Sequence, residues 1–223
     1  SSTNQYNAVT NPNPTTTPFA PATGYLIRAP NNWVLNTPST FNGVFTGVLN
    51  NGHLSKTLNY FDDARSYNLV GNPYPSTIDA NAFITDNTAN IENTLYFWRK
   101  TNGASGSAYA TYTLGGATTS TPTSAAPNGT IQVGQGFFVK AKSASTLNFK
   151  NTMRLTNSST QFFRTNMERN RIWLNLTNTS GVFSQMLVSY MEDATQGVDS
   201  LDGKYINDAP IALTSIINAE EYT

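Results

Sequence analysis

The 223-residue chain contains no cysteine. That excludes disulfides, thiolate nucleophiles and cysteine-ligated metals. Histidine occurs once, as His53, directly after Asn51-Gly52. Charge is scarce as well: Asp, Glu, Lys and Arg make up 12% of the residues, where soluble domains commonly carry about 25%. The formal net charge is +0, and neither sign gathers into a block. Phosphate recognition rests on clustered Lys and Arg, so composition argues against a nucleic-acid partner. Electrostatic adsorption to an anionic membrane lacks its cations in the same way. No run of about 18 apolar residues is present, so membrane insertion as a helix is not expected. The opening SSTNQYNAVTNPNP does not have the basic-then-apolar order of a signal peptide, so an exported protein would carry this chain as a mature piece.

What is present is Asn, Thr and Ser from end to end, with 38% hydrophobic residues and 15 glycines. That is enough apolar material for a core, and the polar residues suit turns and exposed strand faces better than helix interiors. Residues 1–22 (with NPNPTTTPFAPAT) read as an extended Pro/Asn/Thr-rich arm or the remnant of a truncated first strand. Residues 23–223 read as a single domain. Short apolar runs alternate with turn clusters, the pattern of an all-β fold. Strands are predicted over 25–29, 43–49, 67–70, 94–99, 109–114, 136–141, 146–149, 171–177, 186–190 and 211–216. A single short helix is predicted over 78–84, capped by Ser76 with Asp79 at its positive end. Gly24-Tyr25-Leu26-Ile27-Arg28-Ala29 echoes Gly136-Phe137-Phe138-Val139-Lys140-Ala141, a likeness that two buried strands also explain. The expected architecture is a two-sheet antiparallel β-sandwich, jelly-roll-like, with long polar loops. The low-complexity stretch 101–130 reads as a long loop around one hairpin strand.

Three stretches stand out: YNLVGNPYPSTID (67–79), LYFWRK (95–100) and IQVGQGFFVKA (131–141). They are followed in order by Met153-Arg154, Phe162-Phe163-Arg164 and RIWLNLTN (171–178). Together they resemble the β-rich C-terminal region that precedes the sorting signal in proteins exported by the type IX secretion system of Bacteroidota. The resemblance spans roughly 24–202 and implies an extracellular or cell-surface location. It further implies a non-catalytic role in an adhesin, gliding-motility protein or polysaccharide-degrading enzyme. The partners it implies are neighbouring domains of the same polypeptide and type IX secretion or outer-membrane surface components. A sorting signal would be expected to begin near 219–223, which leaves direct contact with the secretion machinery outside what these residues imply. Physically, Gly71, Pro73 and Pro75 make a rigid turn, and Tyr74 between the prolines is expected as a core plug. Gln135 is placed to satisfy a neighbouring backbone group as its strand begins.

Candidate sites are few. A Ser–His–Asp triad would need His53, and no G-x-S-x-G elbow accompanies it. Paired carboxylates for glycoside hydrolysis would come from Asp62, Asp63, Asp79, Asp86 and Glu92, none of them in a catalytic context. The acid-rich stretch 192–203 is the candidate for a structural calcium ion through Asp193, Asp199 and Asp202, without EF-hand spacing. No other cofactor is expected. Ser200, in Asp199-Ser200-Leu201, looks like a Bacteroidota O-glycosylation site. Glycan binding needs an exposed aromatic platform with amides beside it. Trp33 with Asn31 and Asn32 fits that pattern, whereas Trp98 and Trp173, inside strands, are expected in the core. The expected function is a structural or adhesion module. A carbohydrate-binding module of a secreted polysaccharide-degrading protein is the alternative.

Overall fold

The computed structural model describes residues 18–27, 44–99, 108–156, 170–209 and 211–223. Among the described residues the fold is all-β with one short α-helix. Five strands form an antiparallel sheet: β2 (Tyr67–Gly71), β4 (Leu95–Trp98), β5 (Tyr109–Tyr112), β6 (Ala117–Thr118) and β8 (Gly136–Lys140). Their order across the sheet is β2-β8-β4-β5-β6. Four two-stranded antiparallel sheets surround it. β1 (Leu54–Thr57) pairs with β9 (Thr146–Phe149), β3 (Ile78–Asp79) with β7 (Thr130–Ile131), β10 (Asn170–Thr177) with β11 (Phe183–Tyr190), and β12 (Ser215–Ile217) with β13 (Glu220–Tyr222).

Strand alternation decides the two faces of the central sheet. Val70, Leu95, Phe97, Phe137 and Val139 point to one side, into the hydrophobic core. There they meet Phe83 and Ile84 of helix α1 (Ala80–Asn87), together with Leu147, Phe149 and Met153. Phe83 lies edge-on to Phe137, with centroids 5.4 Å apart, and tilted against Phe149 at 5.1 Å. Asn87, fully buried at the end of α1, ties the helix to β9. Its Nδ2 donates to the Asn148 carbonyl at 2.9 Å, and its Oδ1 accepts from the Asn148 amide at 2.8 Å. A side-chain amide here imitates a strand neighbour and satisfies backbone groups that burial would otherwise orphan.

The opposite face carries Tyr67, Tyr96, Phe138 and Lys140, and the C-terminal segment crosses it. Tyr96 Oη donates to the Lys204 carbonyl at 2.7 Å, and the Lys204 amide donates to Thr94 Oγ1 at 3.1 Å. Lys204 pairs with Glu220. Burial, aided by the neighbouring Lys204 charge, pushes the Lys140 amine below its usual range.

Several expectations need correction. The helix starts later than 78, and Asp79 rather than Ser76 caps it: Asp79 Oδ1 accepts from the Asn81 and Ala82 amides at 2.8 and 3.4 Å. The Ser76 carbonyl is held by Asn72, the Thr77 carbonyl accepts from the Leu155 amide, and Ile78–Asp79 pair with β7, so helix entry waits for the next carboxylate. The stretches 25–27 and 44–49 are not strands. Among the described residues of this region Thr23 alone bridges the central sheet, at Val70, and Leu26, Ile27, Phe45 and Val48 are exposed. An apolar run makes a strand only where an edge is available to pair with it. The last predicted strand shrinks to Ser215–Ile217. Gly129 is a turn residue. At φ +86 it lets the chain bend so that its carbonyl accepts from the Ala80 amide at 2.8 Å, and a side chain there would strike Tyr112.

Candidate functional site

The acid-rich loop borders a cleft of about 90 Å³. Thr113, Ser189, Thr195, Asp199, Asp202 and Tyr222 contribute to its walls, so four separate stretches of chain build it. The volume holds several waters, and the lining mixes hydroxyls and two carboxylates with Leu187, Met191, Ala194 and Leu201, with no Lys or Arg. Ser189 Oγ is buried in this wall without a hydrogen-bond partner.

Asp199 and Asp202 come together here, whereas Asp193 is exposed and takes no part in the wall. Asp199 spends both oxygens on its own loop. Oδ2 accepts from the Thr195 amide at 2.7 Å and from Thr195 Oγ1 at 3.0 Å; Oδ1 accepts from the Leu201 amide at 2.8 Å. Burial alone would raise this carboxyl's pKa, but those donors outweigh it and hold the group below its usual range. Asp202 Oδ2 accepts from the Asp199 amide at 2.8 Å. Burial, opposed by that one bond and reinforced by the Asp199 charge, pushes Asp202 up. Among the described residues no three His, Asp or Glu side chains converge as a metal-ligand set. Asp193 stands apart from Asp199 and Asp202, and Asp199's lone pairs are already used by its own turn.

The two carboxylates thus affect stability with opposite signs. Asp199, depressed on folding, stabilises above the unfolded carboxyl pKa, and that contribution fades as pH falls through its folded value. Asp202, raised on folding, destabilises once ionised, and the penalty fades as pH falls toward the unfolded value. Asp199→Asn is expected to cost about 1 kcal/mol at pH 7, the scale of a partly exposed charged hydrogen bond. Asp202→Asn should leave stability unchanged or raise it. Urea unfolding at pH 7, with and without chelator, checks both. A fall in the midpoint on chelation of the parent protein, absent from the variants, would restore the calcium reading.

The other candidates are dispersed. His53 is exposed and its Nε2 lies 3.1 Å from Asn148 Oδ1. Asp62 caps the turn to Arg65 and pairs with it, with Nε at 2.8 Å from Oδ2, and Asp63 accepts from Tyr60 Oη. Asp86 pairs with Lys150 at 2.7 Å, and the Glu92 amide is spent on the Lys140 carbonyl. Asp62, Asp63, Asp79 and Asp86 thus each have a structural partner for the side chain. Ser200 is exposed at the turn of the acid-rich loop. Trp33, Asn31 and Asn32 lie outside the described residues, as do Arg28, Ala29 and the 162–164 stretch. Trp98 and Trp173 are not core residues: they are 50% and 46% exposed. Trp98 ends its strand on the sheet's second face, and Trp173, on the β10–β11 ribbon, donates from Nε1 to the Ala117 carbonyl at 3.1 Å.

Sequence reasoning missed Asn72. It is buried, with Nδ2 donating to the Ser76 and Gln132 carbonyls at 2.8 and 3.0 Å and Oδ1 accepting from the Tyr74 amide at 3.0 Å. Its place between Gly71 and Pro73 was the available signal. Tyr74 plugs the core, 1% exposed, with its hydroxyl on the Gly52 carbonyl. Arg154 lies over that ring at 5.4 Å and donates to Ser76 Oγ at 2.8 Å. Gln135 Oε1 accepts from the Gln132 amide at 2.8 Å, as expected.

These features define an antiparallel all-β protein with one short helix and a small polar cleft. Residues 1–223 match the family described as Domain of unknown function (DUF8693), and the chain belongs to that family. No curated protein and no solved structure matches it.

Proposed function

We propose that the chain is a non-catalytic structural or adhesion module of a bacterial surface protein exported by the type IX route. One observation supports this reading above the others: the distinctive sequence stretches pack on one another instead of surrounding an opening. YNLVG, GFFVK and LYFW are the adjacent strands β2, β8 and β4, and the Asn72–Ser76 turn is locked by Arg154 from a later stretch. Residues used this way serve architecture, and architecture is what a stalk or terminal domain supplies. In this reading the second face of the central sheet and the ribbons beside it act as the second layer of a β-sandwich. The display site is extracellular, and Ser200 on its exposed turn is a glycan acceptor.

A glycan array separates this reading from the carbohydrate-binding alternative. The expected result is no glycan bound by the 223-residue chain, together with protease-accessible display of the parent protein on intact cells. Binding that disappears in Trp33→Ala would overturn it in favour of the carbohydrate module.

A further inference from the structure

The chain holds four Asn-Gly dipeptides, at 42–43, 51–52, 102–103 and 128–129, and those at 51–52 and 128–129 lie in the described residues. Asn51 and Asn128 are both exposed, and Gly52 and Gly129 share nearly the same backbone, with φ +85 and +86. Their hydrogen-bond partners differ. The Gly52 amide donates to Asn151 Oδ1 at 3.1 Å. Asn51 Oδ1 is held by the same later stretch, accepting from Asn151 Nδ2 and Arg154 Nη1, both at 3.0 Å. Arg154 is fixed in turn by Ser76 Oγ. At the second dipeptide, Asn128 Oδ1 accepts from the Thr130 amide, two residues on, at 3.0 Å. That Asx turn folds the side chain forward over the Gly129 amide between them. Among the described residues nothing accepts from the Gly129 amide.

We propose that Asn128 is a self-modification site, converting through Gly129 and water to aspartate or isoaspartate, and that Asn151 and Arg154 spare Asn51 the same change. The Gly129 nitrogen attacks Asn128 Cγ, and its proton passes through water to Nδ2. The Cγ–Nδ2 bond breaks, ammonia departs, and a cyclic imide remains. Water then opens the imide at either carbonyl. The new N–Cγ bond takes the place of the N–H bond, so the hydrogen side of the glycine amide must face its own asparagine. At Gly52 that side is turned to Asn151; at Gly129 it is open. Negative charge develops on Oδ1 during the attack, where the Thr130 amide already donates. Glycine has no Cβ to obstruct the closure. Isoaspartate routes the main chain through Cβ and lengthens it between 128 and 129. The Gly129 carbonyl, which accepts from the Ala80 amide at 2.8 Å, and the β3–β7 pairing beside it then lose their register. The site is a slow, one-way loosening of the start of α1, and it does not depend on the module reading above.

The test ages the folded chain at mildly alkaline pH and maps it by peptide mass spectrometry, which reads each amide-to-acid exchange in place. Asn128 should convert at least roughly tenfold faster than Asn51, since the clamp on Asn51 is worth no less than one charge-assisted hydrogen bond. In urea, where local sequence alone acts, the two rates should draw together. Asn151→Ala frees the Gly52 amide and should speed Asn51 while Asn128 keeps its rate. The isoaspartate fraction, richer by one negative charge and separable by anion exchange, should unfold at lower urea than the fresh chain. Equal rates in the folded chain, faster loss at Asn51 or no conversion at Asn128 would each overturn the proposal. A gap between the rates that persists in urea would trace it to local sequence and overturn it as well. An Asn51 rate untouched by Asn151→Ala would sink the protecting clamp, and unchanged unfolding of the aged fraction would sink the loosening.

Discussion

Phe83→Ala is expected to destabilise the protein by about 3–5 kcal/mol, the range for emptying a fully buried aromatic site. Phe83 is 0% exposed and joins three elements that are distant in sequence: its own helix, Phe137 of β8 and Phe149 of β9. The loss combines the transfer of the ring with a cavity that two strands, held in register by their partners, cannot close. Phe83→Leu should recover more than half of it. Urea unfolding measures both variants, and a cost below about 1 kcal/mol for alanine would mean the aromatic cluster is not packed as described. Trp98→Ala serves as the contrast, since a half-exposed ring at a strand end leaves little cavity.

The second large effect is expected at Asn72. Asn72→Ala removes one acceptor and two donor contacts, leaving the Tyr74 amide and the Ser76 carbonyl without their partner, while the Gln132 carbonyl keeps the Gln135 amide. Orphaning buried backbone groups costs about 1–3 kcal/mol each before relaxation, and water reaching the turn will return part of it, so about 2–4 kcal/mol is expected. Asn72→Asp tests the polarity of the contact. At neutral pH it sets an anion against two carbonyl oxygens, and it should be at least as damaging as alanine. Below the carboxyl pKa the protonated group regains a donor, so its deficit should shrink in acid while that of Asn72→Ala stays constant. Equal deficits at both pH values would rule out the donor role.

How much of this was legible in the sequence depends on how local each feature is. β8, β9 and β10 follow from apolar runs with turn residues beside them, and Tyr74 as a plug follows from the rigidity of its two prolines. The stretches 25–29 and 43–49 have the same local character, and in their described parts no strand forms. Pairing depends on a free edge, which is a property of the whole sheet. Trp98 and Trp173 mislead for a related reason: lying in a strand does not say whether its face is covered. β3 and β7 are two residues each, too short to show a period. The cleft beside Asp199 is assembled from residues 113–115, 187–191, 194–203 and 215–223, a meeting that no window along the chain contains. The acid-rich loop itself was visible, but not the fact that Asp199's oxygens are already taken by its own turn.

The pairings β3–β7, β2–β8 and β1–β9 lie one inside another along the chain, from 78–131 outward to 54–149. None of the three N-terminal partners can find its mate during synthesis until the chain has been made past residue 130. Closing the innermost pair brings the ends of the next pair nearer, so the order of assembly runs from the middle of the sequence toward its flanks. Such a molecule gains little from early local contacts and should fold slowly for its size.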